Sequence, residues 1–310
     1  MTPEINQQEE EEEREITARF STDELVKGWL EREPRHPRAT PIIVFGARTD
    51  LGRVRENNED KFDFYEPDDP TILATRGSFY AVADGMGGHA AGQIASEIAL
   101  KNMLSAYYNS VAEDAPSALR EAVTISNDVV FNIASMVPGR TGMGTTLTVL
   151  IVIEDRCFVA NVGDSRAYLI RNGEIRQVTE DHSWVAEQVR RGGMTEEEAE
   201  ASPYRNVITR CIGTQKETEP DIFDEDAMEG DVWVLCSDGL SGHVHPDEIL
   251  KIAGSHCPSE ASRQFIELAN SRGGRDNITT VIVKIKEVIK SGEPSEEEKT
   301  KKRWNPFSKD

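Results

Sequence analysis

Three apolar runs in this chain end on an aspartate: FYAVAD at residues 79–84, CFVANVGD at 157–164 and VWVLCSD at 232–238. An acid at the end of a buried strand loses its hydration and needs a compensating partner. Only Arg166, beside Asp164, offers one nearby in the sequence. The fold must therefore bring distant strand ends together, or give each acid its own turn. Three more acids sit in two similar short motifs, Asn58-Glu59-Asp60 and Arg275-Asp276-Asn277. A single Asp-Gly reads as an ordinary turn, with the carboxylate bonding its own backbone. Five such motifs, three at the ends of apolar strands, are poorly explained by turns alone. A shared cation would satisfy several acids at once.

The ligand chemistry narrows that cation. Carboxylates and carbonyls without a thiolate or imidazole set suit magnesium, manganese or calcium rather than zinc. The four cysteines, Cys157, Cys211, Cys236 and Cys257, form no CxxC pair, and no histidine stands at zinc-finger spacing. The first three read as small buried hydrophobes. An EF-hand draws its ligands from one 12-residue loop, whereas here the acids are scattered from Glu59 to Asp276.

Two arginines precede the first acidic motif, in TDLGRVRENNED at 49–60. An acidic metal site with one well-placed arginine has what a phosphate ester needs, because guanidinium binds phosphate oxygens bidentately. The alternative is that Arg55 pairs with Glu59, four residues on.

Residues 42–287 read as one continuous domain. Strands are expected at 42–45, 79–83, 145–153, 157–170, 232–236 and 277–286, with helices over 93–108 and 116–137. Runs of strands and paired helices, rather than strict βαβ alternation, indicate an α+β architecture. Residues 1–41 read as an acidic extension: Glu9–Glu13 is a run of five acids, and a short helix is possible over Ser21–Glu33. Residues 288–310 read as a polar tail ending in Trp304 to Phe307, either flexible or a short partner motif.

The net charge is −21, and the segment between these two ends carries −17 of it. Nucleic acid and anionic membrane surfaces are thereby disfavoured as partners, while divalent cations are attracted. No apolar window is long enough to span a bilayer, and the acidic start is unlike a signal peptide. A cytoplasmic protein is expected.

In order along the chain, TDLGRVRENNED, VADGMGGHAAG, GMGTTL, NVGDSRAYLIRNG, VLCSDGL and GGRDNIT resemble the motifs of the metal-dependent serine/threonine protein phosphatases of type two C, most closely their bacterial branch. The resemblance covers roughly residues 43–286. It implies a four-layer αββα sandwich, with two antiparallel sheets flanked by helix pairs and a site in the cleft at one end. It implies two Mn²⁺ or Mg²⁺ ions, with a third in bacterial members. Asp84 would bridge the two ions and the Gly85 carbonyl would bind one. Asp238 and Asp276 would complete the other. Glu59 and Asp60 would bind directly or hold metal-bound waters, and Asp164 would help hold the third ion. The backbone of Asn206 lies where some members add a contact. Arg55 matches the phosphate-binding arginine. The implied reaction is hydrolysis of phosphoserine or phosphothreonine on proteins by a metal-activated water, opposing a Ser/Thr protein kinase.

One departure concerns the general acid. Many eukaryotic members carry His where this chain has Met86, and His89 is open to either an acid or a capping role. Residues 180–222 correspond to a variable flap beside the site. Its Arg190-Arg191 pair suits either acidic phosphopeptides or a solvated helix face. The competing readings are a catalytically silent binding module on the same fold, which loss of Asp84, Asp238 or Asp276 would favour, and a calcium buffer, which the scattered acids and Arg55 oppose.

Overall fold

The apolar runs form two five-stranded antiparallel sheets. The computed structural model describes residues 35–87 and 90–291. The first sheet runs β1 (Ala39–Asp50), β12 (Ile278–Lys290), β11 (Val232–Cys236), β8 (Arg166–Arg171), β9 (Glu174–Gln177). The second runs β10 (Asp221–Asp226), β7 (Arg156–Val162), β6 (Leu147–Ile153), β3 (Ser78–Ala83), β2 (Lys61–Tyr65). A two-residue ladder joins β4 (Gly85–Met86) to β5 (Gly144–Thr145).

Alternation along the central strands builds the layers. In β3, Phe79, Ala81 and Ala83 face a cluster shared with two long helices, α2 (Ala90–Asn109) and α3 (Ala115–Met136). Tyr80 and Val82 face the other way, into a cluster between the sheets that includes Trp233, Leu235, Val281 and Val283. On the far side, Val234, Cys236 and Ile282 meet Ile249 and Phe265 of α7 (Pro246–Ser255) and α8 (Pro258–Ser271). The three clusters make the expected four-layer αββα sandwich. Strands covered on both faces lose the apolar/polar alternation of a half-exposed sheet, which is why 145–153 reads as a continuous apolar run.

The second long helix starts where its sequence allows. Asp114 caps it by accepting from Ser117 N at 2.8 Å, and Pro116 lies in the first turn, where its missing N–H costs nothing. The shorter α1 (Pro70–Thr75) is capped by Asp69, and Arg76 then ties it to the end of α2. The buried Arg76 guanidinium donates to the carbonyls of Tyr107, Ser110 and Ala112 at 3.2, 2.9 and 2.7 Å.

The structure corrects two expected elements. The strand anticipated over 145–153 starts at Leu147, because Thr145 pairs instead in the β4–β5 ladder. The strand anticipated over 157–170 is two strands, β7 and β8, that lie in different sheets. The chain crosses between sheets at Gly163-Asp164-Ser165. Gly163 adopts φ +114°, a conformation glycine alone tolerates easily. The paired strands reach Ala39 and Lys290, a few residues beyond 42–287. The helix considered over Ser21–Glu33, His89 and the Trp304–Phe307 segment lie outside the described residues. No described helix is long and apolar enough to cross a membrane.

Candidate active site

Strand register gathers the acids at one end of the sandwich. Lys61 pairs with Ala83, so Asp60, just before β2, meets Asp84, just after β3. Asp50 pairs with Ile278, which sets the turn carrying Arg53 and Arg55 beside Asp276. Cys236 pairs with both Arg166 and Thr280, so Asp238 leaves β11 between the Asp164 turn and the start of β12.

Each acid is held differently. Asp60 is buried, and its Oδ2 accepts from Ser237 Oγ at 2.7 Å. The Asp84 backbone N–H donates to Thr146 Oγ1 at 2.9 Å, and that hydroxyl is 2.7 Å from Ser165 Oγ, next to Asp164. Asp276 Oδ1 accepts from Asn277 N–H at 2.9 Å, and its Oδ2 accepts from Arg55 Nη2 at 2.7 Å. Arg55 therefore pairs with Asp276 rather than with Glu59. Asp238 opens the one-turn helix α6 (Asp238–Ser241). Asn277 laces the loops together: its amide nitrogen donates to the carbonyls of Leu51 and Asn57, both at 3.0 Å, and its amide oxygen accepts from Glu59 N–H at 2.8 Å.

Two glycines permit the closeness. A Cβ on Gly85 would stand 2.1 Å from the Gly92 carbonyl oxygen and 2.6 Å from that of Glu59. A Cβ on Gly239 would stand 1.9 Å from the Asn277 carbonyl oxygen. Glu59 is brought to this edge of the cluster, where its carboxylate lies against Gly92 of α2.

The electrostatics are those of crowded acids. Burial, with Asp238 and Asp276 adding repulsion, pushes the Asp60 carboxyl up to about 7. Burial and the charges of Asp238 and Asp181 push Asp164 up to about 8. Asp84 is raised well above the carboxylate range by burial and by Asp60, Asp238, Asp164 and Asp276. Asp238 is raised by burial and by Asp276, against a hydrogen bond with Asp84. Asp60 Oδ1 and Asp238 Oδ1 are buried and accept no hydrogen bond. Orphaned carboxylate oxygens facing like charges are what a hard divalent cation neutralises, and an all-oxygen donor set suits Mn²⁺ or Mg²⁺. The residues present therefore fit such ions. Among the described residues no three acids, imidazoles or thiols already form a ready-made cage. Asp276 is turned to Arg55, and mutual repulsion opposes closer approach.

The flap leaves the site through Asp181 and His182. It carries α4 (Trp184–Arg190) and α5 (Glu196–Ala201), and returns along a short bridge between Ser183 and Ile208. Arg166 binds Asp181, with Nη2 to Oδ2 at 2.7 Å, rather than neighbouring Asp164. Arg190 pairs with Glu180 and Arg191 with Glu187, and α5 buries no residue, so this face is solvated. Asn206 sits in an exposed turn of the flap.

Comparison with known proteins shows which family the chain resembles. Residues 49–190 match the family model described as Protein phosphatase 2C. A serine/threonine phosphatase, stp, of Listeria monocytogenes is 39% identical over 243 residues, covering 76% of this chain and 93% of that protein. The chain belongs to the protein phosphatase 2C family. It is a metal-dependent serine/threonine protein phosphatase, a hydrolase acting on phosphoproteins. PstP of Mycobacterium tuberculosis is 37% identical over 248 residues, covering 80% of this chain but 46% of PstP, so this phosphatase matches about half the length of that relative. A crystal structure of the PstP catalytic domain in complex with two manganese ions superposes with a TM-score of 0.69 at 36% identity, covering 80% of this chain and all of that one.

Some residues that shape the site gave no sequence signal. Ser237, Thr146 and Asn277 were visible only as motif neighbours, although their hydrogen bonds fix Asp60, Asp84 and the Glu59 loop. His182 and Asp221 stood in polar stretches without periodicity. Their partners lie 19 and 39 residues away from His182 and follow from strand crossing, not from spacing.

Proposed function

We propose that Asp84, Asp238 and Asp276, with the Gly85 carbonyl, are the principal ligands of the two catalytic ions. Glu59 and Asp60 act at their edge, and Asp164 serves a third ion. The observation that carries this reading is the pair of buried, unpartnered oxygens, Asp60 Oδ1 and Asp238 Oδ1, inside a cluster of five acids from five separate motifs. When bound, the ions lower the pKa of water and place positive charge at the phosphoryl oxygens.

The chain's own residues do the rest. Arg55, half-exposed at the rim, lies close enough to Glu59, Asp84 and Asp276 to feel their charges. Its guanidinium has donors beyond the one given to Asp276, and these bind two oxygens of the phosphate. This orients the ester for in-line attack and neutralises charge on the equatorial oxygens. Ser237 and Thr146 hold the acids in register without touching substrate. Met86 supplies no proton, so the leaving alkoxide takes its proton from water in the cleft.

The physiological role inferred is removal of phosphate from phosphoproteins, including a Ser/Thr protein kinase that this enzyme opposes. The four free cysteines suit a reducing compartment, and we place the enzyme in the cytoplasm, without nucleic-acid or membrane partners. Hydrolysis of a phosphothreonine peptide, assayed in EDTA and then with added Mn²⁺ or Mg²⁺ beside Asp238→Asn, tests the reading. Activity that requires both the metal and the carboxylate supports it. A folded protein inactive with every metal refutes it.

A further inference from the structure

His182 is a buried imidazole outside the acidic cluster, 2% exposed, and three separate parts of the molecule meet on it. It grips the glycine before Asp164 with two hydrogen bonds. Its backbone N–H donates to the Gly163 carbonyl at 2.9 Å, and Gly163 N–H donates to its Nδ1 at 3.0 Å. Gly163 also packs against Thr146, where an added Cβ would stand 2.6 Å from Thr146 Cβ. The Asp164 turn is therefore held by both the His182 ring and the Thr146 side chain, which also receives the Asp84 N–H.

The ring's other face sets its tautomer. Nδ1 accepts, so the ring proton lies on Nε2, which donates to Asp221 Oδ2 at 3.0 Å. Asp221 Oδ1 accepts from Arg210 Nη1 at 2.7 Å. Arg210 lies on the returning leg of the flap, and the His182 carbonyl accepts from Thr209 N–H on that same leg at 2.8 Å. Asp221 begins edge strand β10. One residue, through its backbone and its ring together, thus joins the Asp164 turn, both legs of the flap and the edge of the second sheet.

We propose that His182 is a positioning residue, whose accepting Nδ1 fixes the Gly163–Asp164 turn against the metal cluster, with Asp221 holding the proton on the other ring nitrogen. The proposal rests on the phosphatase reading above and on Asp164 as a metal ligand. Carboxylates and carbonyls that orient metal-binding groups from behind are worth about 10- to 100-fold in metal affinity when removed. His182 does this for a turn rather than for a ligand directly.

The two ring nitrogens can be replaced separately. In His182→Asn the side-chain oxygen stands near the place of Nδ1 and can accept from Gly163, but the amide is too short to reach Asp221. In His182→Gln the terminal amide reaches Asp221 but leaves the Gly163 N–H without its acceptor. Mn²⁺ binding to the full chain is measured by calorimetry for wild type, both variants and Asp164→Asn, together with kcat, KM and the thermal midpoint. The expected result is that His182→Gln reproduces Asp164→Asn. The weakest Mn²⁺ site loses about tenfold in affinity or more, and kcat falls at unchanged KM. His182→Asn keeps that site near wild type even if its thermal midpoint drops.

Equal Mn²⁺ binding by wild type and His182→Gln would overturn the proposal while leaving the phosphatase reading intact. So would equal losses in the Asn and Gln variants that merely follow their thermal midpoints. A wild-type chain that neither binds Mn²⁺ nor hydrolyses a phosphothreonine peptide would remove both.

Discussion

The Arg55 guanidinium donates to Asp276 Oδ2 at 2.7 Å although the two residues are 221 positions apart in the chain. The contact joins a proposed phosphate-binding cation to a proposed metal ligand. It exists because β1 pairs with β12 and sets the 52–55 turn beside the 273–276 loop, where Arg53 N–H donates to the Gly274 carbonyl at 2.7 Å. The pair is half-exposed, so its own worth is small. Its importance is that one cation can hold both Asp276 and substrate phosphate.

Arg55→Ala is accordingly expected to act mainly on substrate. Losing charge-assisted bonds to phosphate costs about 1.5–3 kcal/mol, a rise in KM of about 10- to 100-fold. Steady-state kinetics with a phosphopeptide checks this. Arg55→Lys should recover only part of the loss, because ammonium cannot match two oxygens in one plane. A change confined to kcat would contradict the assignment.

Asp84→Asn should separate catalysis from folding. Asp84 is buried and faces the charges of Asp60, Asp238, Asp164 and Asp276, and amide in place of carboxylate removes a charge that these others oppose. Metal-dependent turnover should fall by about 100- to 1,000-fold, while the metal-free thermal midpoint stays level or rises. A fully active variant would exclude Asp84 from the ion pair's ligands.

The pH dependence of stability follows from the same crowding. Asp60 near 7 and Asp164 near 8 bind their protons more tightly folded than unfolded, where a carboxyl sits near 3.8. The folded state is therefore favoured most below about pH 4. That advantage is lost as pH rises through the folded values, and stability falls between about pH 4 and 8. Burial lowers the His182 pKa and acts in the opposite sense below about pH 6.5, so the carboxylates are isolated by comparison with Asp164→Asn. In EDTA the thermal midpoint of wild type should drop more steeply from pH 5 to 8 than that of the variant. Saturating Mn²⁺ should remove the difference. Parallel pH curves in EDTA would refute this account.

Gly239→Ala tests the packing behind the ligands. The new methyl would meet the Asn277 carbonyl oxygen at 1.9 Å, a backbone atom that cannot swing aside as a side chain could. Overpacking of this kind costs about 1–3 kcal/mol. Here it also pushes the loop that carries Asp276. Denaturant unfolding should show the stability loss, and calorimetry should show weakened Mn²⁺ binding alongside it. Gly254→Ala, whose Cβ meets nothing within 4 Å and whose φ is not left-handed, supplies the control for an added methyl without crowding.

What the sequence alone determined is local chemistry and its order. Apolar runs covered on both faces had to be strands, the periodicity over 116–137 had to be a helix, and acids at strand ends had to share something. Six ordered motifs carried the family and hence the expected sandwich. Tertiary structure decided the rest, because hydrogen-bond partners across a sheet depend on register and not on spacing. It split 157–170 into two strands of different sheets at Gly163, and it gave Arg55 to Asp276 instead of Glu59. It also gave Arg166 to Asp181 instead of Asp164. Finally, it buried His182 between Gly163 and Asp221, residues that meet only when the chain crosses from one sheet to the other and the flap closes back on that crossing.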